Sequence, residues 1–273
     1  DETAHDTPLA IGWRDTIIPW DGSVDDVRIY NTALSSNEIA RLTLDTCEMY
    51  DPFMAYDLTT VTDISGNSND GTTVNDPTLL QGARGIAGNL AMEFDGANQY
   101  VDMGDVCDFG TGDFSVTAWI KYDALGQADN RNIISKYQDG NNQCFFGINV
   151  VDKLYFYGLA GGAYGIFIRH NATSFTDTDW HHVAFVADRD TEGRLYIDGA
   201  EVSGYEQTLM DADGLDNSGN FRIGRLDTEY LAGKVDDVRK YDIALSASQV
   251  TNLYDGIDPT NTPVASYNFT PPP

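Results

Sequence analysis

Two adjacent histidines (His181 and His182), a surplus of aspartates and a run of aromatic residues between Tyr137 and Phe167 are the side chains here best able to do chemistry. Adjacent residues on a strand point to opposite faces, so the two imidazoles cannot close on one metal ion, and a packing or hydrogen-bonding role follows for the pair. His5 and His170 have no partner nearby in sequence. Of the 43 acidic residues, 35 are Asp and eight are Glu. Glu favours helical surfaces, whereas Asp favours turns, caps and oxygen-rich cation sites. The skew points to a loop-rich β protein and to calcium, although a merely acidic, soluble surface would show it too. Tyr137, Tyr155, Tyr157, Tyr164 and Phe167 could stack on sugar rings if they share an exposed face; strand aromatics more often pack in cores. Cys47, Cys107 and Cys144 have neither CxxC nor Cys/His spacing, and their pairing stays open.

The elements that would position these residues read as strands. Phe114-Ser115-Val116-Thr117-Ala118-Trp119-Ile120 alternates large apolar with small or polar residues, the period of a half-buried strand. Phe145 to Val150, Val183 to Val186 and Leu195-Tyr196-Ile197 behave alike, with Asp95-Gly96, Asp139-Gly140 and Asp198-Gly199 as tight turns between strands. Helical signals are short, at Ser35 to Leu42 and Ser246 to Tyr254, each opened by a serine suited to an N-cap. With 273 residues, 41% hydrophobic and 11% aromatic, the chain can bury a substantial core. Its 16 basic residues against 43 acidic ones leave a net charge of −27, which repels phosphate backbones and anionic lipid and argues against nucleic-acid partners. No apolar run approaches a membrane span, so direct membrane insertion is not expected. The chain opens on Asp1 rather than Met, as a processed or excised segment does, and Asn171 and Asn268 stand in glycosylation-type triplets.

A repeat runs through the ends. Ile11 to Ile39 reads IGWRDTIIPWDGSVDDVRIYNTALSSNEI, and from Ile223 the chain reads IGRLDTEYLAGKVDDVRKYDIALSASQV. Val24 pairs with Val235 and Tyr30 with Tyr241, an offset of 211. The same offset lays Tyr56-Asp57-Leu58-Thr59 on Tyr267-Asn268-Phe269-Thr270. The sequence thus holds two repeat ends, two repeat beginnings and one middle.

Several motifs fall in one family's order: Ser65 to Gly71 preceded by Asp63, Glu93-Phe94-Asp95-Gly96 with Tyr100-Val101, Phe114 to Ile120, Trp180-His181-His182-Val183-Ala184 followed by Leu195 to Gly199, and Gly233 to Tyr241 with Ala244-Leu245-Ser246. From about Phe53 to Asp255 the chain resembles the laminin-G-like jelly rolls of the concanavalin A-like superfamily. The resemblance implies an all-β antiparallel sandwich with a short C-terminal helical turn in each repeat. It divides the chain into closing strands and helix of a preceding repeat at 1–45, a complete domain at 51–256, and a linker with the opening strand of a following repeat at 257–273. Hydrolases of that superfamily use the aspartate corresponding to Asp236 as a calcium ligand, which implies a structural calcium with Asp57, Asp63, Asn67 and Asp95 as companions. Laminarinase-type relatives also carry ExDxxE on a strand; here Glu201 and Glu206 have the outer spacing, but EVSGYE lacks the Asp. The expectation is therefore a non-catalytic extracellular module of a repeat-containing surface protein. Its partner would be a glycan or another cell-surface or matrix component, bound in adhesion or carbohydrate recognition. The alternative is a filament subunit that binds copies of itself, its C-terminal strand pairing with the next chain's N-terminal partial repeat.

Overall fold

The computed structural model describes residues 13–14, 18–19, 59–83, 90–172, 174–209, 214–257, 263 and 265–267. The chain divides into two units, Asp1–Glu48 and Met49–Pro273. In the first, β1 (Trp13–Arg14) and β2 (Ile18–Pro19) pair antiparallel. The helical signal at 35–42, Cys47 and the rest of the 1–45 assignment lie outside the described residues.

The second unit opens with β3 (Thr60–Val61), β4 (Gly71–Val74), β5 (Thr78–Gln81), β6 (Leu90–Asp95), β7 (Tyr100–Asp102) and β8 (Phe114–Tyr122). Long hairpins follow: β9 (Arg131–Asp139), β10 (Asn142–Ile148), β11 (Leu154–Ala160), β12 (Ala163–His170), β13 (His181–Asp188) and β14 (Glu192–Ile197). Then come β15 (Ala200–Glu201), β16 (Tyr205–Leu209), β17 (Asn220–Ile223), β18 (Arg225–Leu226), β19 (Glu229–Tyr230) and β20 (Ala232–Tyr241). Helix α1 (Ala247–Tyr254) and strand β21 (Ala265–Tyr267) complete the described part.

Among the described residues, one antiparallel sheet runs β16-β12-β11-β10-β9-β17-β7-β4-β3, and a second runs β15-β14-β13-β8-β20-β6-β5. The inward residues of both sheets meet in one core, as the alternation requires. Phe156 of the first sheet stacks on Phe185 of the second at 4.3 Å, and Phe114 lies 5.4 Å from Phe156. Each such buried ring stabilises the sandwich by roughly 1.5–3 kcal/mol. This is the expected all-β jelly-roll sandwich.

The second face of β8 is buried as well. Its Ser115 hydroxyl donates to the carbonyl of Ile243 and accepts from Leu245 N–H, tying the chain down just before α1. Val250 and Leu253 of α1 then pack on Ala184, Val186, Tyr196 and Tyr241, while Trp119 stacks on Tyr254. Ser246 caps α1, as expected, and also forms a capping box with Gln249. Trp180 is only half-buried, because it precedes β13 rather than lying within a sheet.

Four Lys and Arg residues are buried among the described residues, Arg189 and three with the oxygen partners that follow. Lys136 meets Asp105, Asp108 and the carbonyl of Val106, and Lys240 meets Asp242 and the carbonyl of Asp108. Arg131 pairs with Asp152 and donates to the carbonyl of Ala124. Cys107 and Cys144 are both free and buried, so neither forms a disulfide.

The segment expected to open a following repeat is seated in this unit's own sheet. β21 pairs antiparallel with β20, Tyr267 opposite Val238, Ser266 opposite Arg239 and Ala265 opposite Lys240. The VDDVR motif makes room for it. Between Asp236 and Arg239 the strand carries a bulge, with Asp237 at φ +47°, a left-handed conformation that Asp tolerates better than most residues. Before the bulge β20 pairs with β6, and after it with β21.

Candidate functional site

On β10, Cys144, Phe146 and Ile148 enter the core, so Phe145 faces outward. On β11, Leu154 and Phe156 point in, and Tyr155 and Tyr157 point out. On β12, Ile166 and Ile168 point in, leaving Phe167 and Arg169 on the other face. The register sets Phe145 opposite Tyr157 and Tyr157 opposite Phe167, a row of rings across three strands. Phe145 and Tyr157 stack at 4.9 Å, and Tyr157 meets Phe167 edge-on at 6.4 Å. Tyr137 on β9 packs against the same cluster. At the far edge the Arg169 guanidinium lies 5.8 Å from the Phe167 ring and pairs with Glu206.

The β18–β19 hairpin folds onto this face and brings polar groups with it. Leu226 packs with Phe145 and Tyr155, and the Ser135 hydroxyl donates to the carbonyl of Arg225. Glu229 then receives the side-chain amides of Asn130 at 3.2 Å and Asn132 at 3.1 Å. Asn132 in turn accepts the Tyr155 hydroxyl at 3.2 Å. Burial raises the Glu229 carboxyl above the ordinary Glu range, the two amides pull it back in part, and the charges of Asp129 and Asp227 push it up again. Burial also drives the Tyr155 phenol far up, so it stays a donor. Beside the hairpin the Arg225 guanidinium lies 4.6 Å from the Tyr100 ring and 5.3 Å from the Tyr230 ring. Ring faces bordered by amide, carboxylate and guanidinium groups suit a ligand with both apolar and hydroxyl surfaces.

Of the aromatics named from sequence, Tyr137, Tyr155, Tyr157 and Phe167 share this face. Tyr164 lies on β12 opposite Leu159, its side chain outside the description. Phe145, Asn132, Glu229, Arg225 and Tyr230 were not picked out in advance. The outward position of Phe145 was available from alternation along β10, but nothing in the spacing places Glu229 beside Asn132, 97 positions away.

Among the described residues, the metal-type side chains do not gather. Asp63 is buried, and its carboxylate accepts from Ser65 N–H and hydroxyl, Asn69 N–H and Ser266 N–H. Asn67 is exposed and donates to Ser65 and to the carbonyl of Pro263. Asp95 is exposed and accepts from Ala97 N–H in an Asx turn. Asp236 is fully buried and accepts from Ala83 N–H at 3.0 Å. Asp57 lies outside the described residues. Asp63 and Asp95 each accept from backbone donors, as Asx turns do, and among the described residues no three His, Cys, Asp or Glu side chains converge.

The histidines part as expected. His182 is buried against Trp119, whereas His181 bonds Asp198 at 2.8 Å and Asp177 at 3.0 Å. Glu201 and Glu206 fall on different sheets, at β15 and β16. Asn171 is exposed in the loop after β12.

A sequence model of the concanavalin A-like lectin/glucanases superfamily matches residues 95–251. No curated protein matches the sequence. Among solved structures, the binding domain of Paraclostridial Mosquitocidal Protein 1 superposes with a TM-score of 0.58 at 18% identity, over 71% of this chain and 49% of that one. The chain therefore spans about half the length of that neighbour. Domain 4 of AbnA, an extracellular GH43 arabinanase of Geobacillus stearothermophilus solved with arabinotriose, gives 0.47 at 19% identity over 72% and 97% of the two chains. A carbohydrate-binding candidate from Bacteroides ovatus gives 0.46 at 22% identity over 59% and 46%.

Proposed function

Since the chain belongs to the concanavalin A-like lectin/glucanase superfamily, we propose that it is a non-catalytic carbohydrate-binding module of the extracellular space, engaging sugar on the outer face of β9 to β12. The observation that carries this reading is the side-by-side row Phe145, Tyr157 and Phe167 with the Asn132–Glu229 pair at its border. Core packing alone does not ask for aromatic rings on the side of the sheet turned away from the sandwich interior. Tyr157 and Phe167 would stack on the apolar faces of sugar rings, and Glu229 with its two asparagines would hold hydroxyls. A glycan microarray tests this. The wild-type chain should bind a defined set of glycans, and Tyr157→Ala should weaken that binding about tenfold, roughly 1.4 kcal/mol. Equal binding by Tyr157→Ala, or no glycan bound at all, overturns the assignment. Release of reducing sugar from any bound glycan would replace binding with hydrolysis.

A structural calcium stays part of the proposal for Asp236 and the Asp57 segment. It is supported by the likeness of VDDVR to the calcium-binding strand of related hydrolases and by the burial of Asp236. A melting temperature that is the same in calcium and in chelator removes it.

A second reading, a repeat-built filament subunit that assembles head to tail, is favoured by the C-terminal strand. In β21 that strand is competent to pair with the VDDVR strand.

A further inference from the structure

β21 lies in a slot with two walls. On one side it pairs with residues 238–240 of β20, whose other edge is already held by β8. On the other side Ser266 N–H donates to the Asp63 carboxylate at 3.0 Å, and Ser266 C=O accepts Ile64 N–H at 2.9 Å. Ala265 and Tyr267 are fully buried in the main core, and the Tyr267 hydroxyl reaches the carbonyl of Asn69. The slot therefore holds one strand. The sequence supplies two. Pro52-Phe53-Met54-Ala55-Tyr56-Asp57-Leu58-Thr59 matches Pro263-Val264-Ala265-Ser266-Tyr267-Asn268-Phe269-Thr270 position for position, and the first of them runs directly into β3.

We propose that this slot is a donor-strand site between copies of the chain, in which the strand around Ala265–Tyr267 of one molecule seats against β20 of the next. The proposal rests on the assembly reading and is independent of the glycan one. Exchange in trans reproduces each contact made in cis, so it costs no pairing energy. A surplus strand of matching pattern also leaves one copy available to a neighbour. The occupant is a second copy because the segment that fits is the chain's own. Opposite β20, the wall meets Ser266 and Tyr267 through directed hydrogen bonds and not only through a general hydrophobic surface.

Because the N–H and C=O of Ser266 turn away from β20, Arg239 and Ser266 form the close, non-hydrogen-bonded kind of pair, with Cα atoms about 4.5 Å apart. That spacing admits a disulfide. Full-length chains lacking Cys47 (Cys47→Ser), one carrying Arg239→Cys and the other Ser266→Cys, are mixed, incubated and oxidised. Covalent heterodimers whose yield rises several-fold with concentration are expected. Sedimentation of the unmodified chain runs alongside, and Ser266→Pro, which removes the donor to Asp63, should lose the multimers while keeping a folded circular-dichroism spectrum. Multimers without 239–266 cross-links, or multimers undiminished in Ser266→Pro, overturn the slot while leaving assembly standing. Monomers alone at every concentration overturn both. Should the cysteine variants misfold, the comparison of unmodified chain and Ser266→Pro still decides the matter.

Discussion

His181 shows how much of a residue's role lies in partners that spacing does not reveal. Burial lowers the tendency of its imidazole to carry a proton, but the hydrogen bonds and charges of Asp198 and Asp177 outweigh it, and the net shift is upward from 6.5. A folded-state value above the unfolded one means stability that is fully present below about pH 6.5 and lost as pH rises through the folded value. The melting-temperature gap between the wild type and His181→Gln should accordingly narrow as pH increases through neutrality. A gap that stays constant would assign the residue to packing alone. Arg131 presents the harsher case. Its side chain is 3% exposed, so Asp152→Ala leaves a buried cation without its carboxylate and should cost about 3–5 kcal/mol in denaturant unfolding. The aspartates were legible as turn and cap formers, which Asp63 and Asp95 are. Their grouping around one ion was an inference from motif likeness, and the backbone donors that meet Asp63 come from as far away as Ser266.

Strands were the readable elements, because a half-buried strand advertises its period and a turn its Asp-Gly. The pattern of Phe114 to Ile120 gave the inner face of β8 directly. That its outer face is also buried depends on α1 returning across it, and a helix of that length carries little signal beyond its cap. Ser246→Ala should destabilise the domain by about 1 kcal/mol through loss of that cap. The VDDVR motif is now intelligible as a bulge as well as a charge pattern. Asp237→Val places a β-branched residue at φ +47° and breaks the contact with Arg239, and it should cost roughly 1–2 kcal/mol or more. The aromatic face was half legible. Alternation picks out Tyr155, Tyr157 and Phe167, but the hairpin that completes it meets β9 through residues far apart in sequence, Ser135 with Arg225 and Asn132 with Glu229. In the N-terminal sequence that matches 223–250, Ile17-Ile18 stands where Glu229-Tyr230 stands here, so the polar pair is not shared by the two segments.

At the scale of the molecule, a chain of net charge −27 encloses four of its cations, Arg131, Lys136, Arg189 and Lys240, in the sandwich. The repeat arithmetic foretold a surplus strand without saying where it would sit, because pairing in cis and in trans use the same residues. The two described cysteines offer a way to tell those states apart in time. Burial raises both thiols, Cys107 to about 11 and Cys144 further still, so neither reacts readily while covered. Their covers differ. The Cys107 thiol is within reach of the Tyr267 hydroxyl on β21, whereas Cys144 lies under Leu215 in the middle of the larger sheet. Departure of the strand should uncover the first thiol and leave the second sealed. In a chain carrying Cys47→Ser, an alkylating reagent should therefore mark Cys107 first, at the rate the strand comes and goes, and Cys144 only when the whole sandwich opens. The protein carries two clocks, one for exchange and one for unfolding, and mass spectrometry can read both in a single tube.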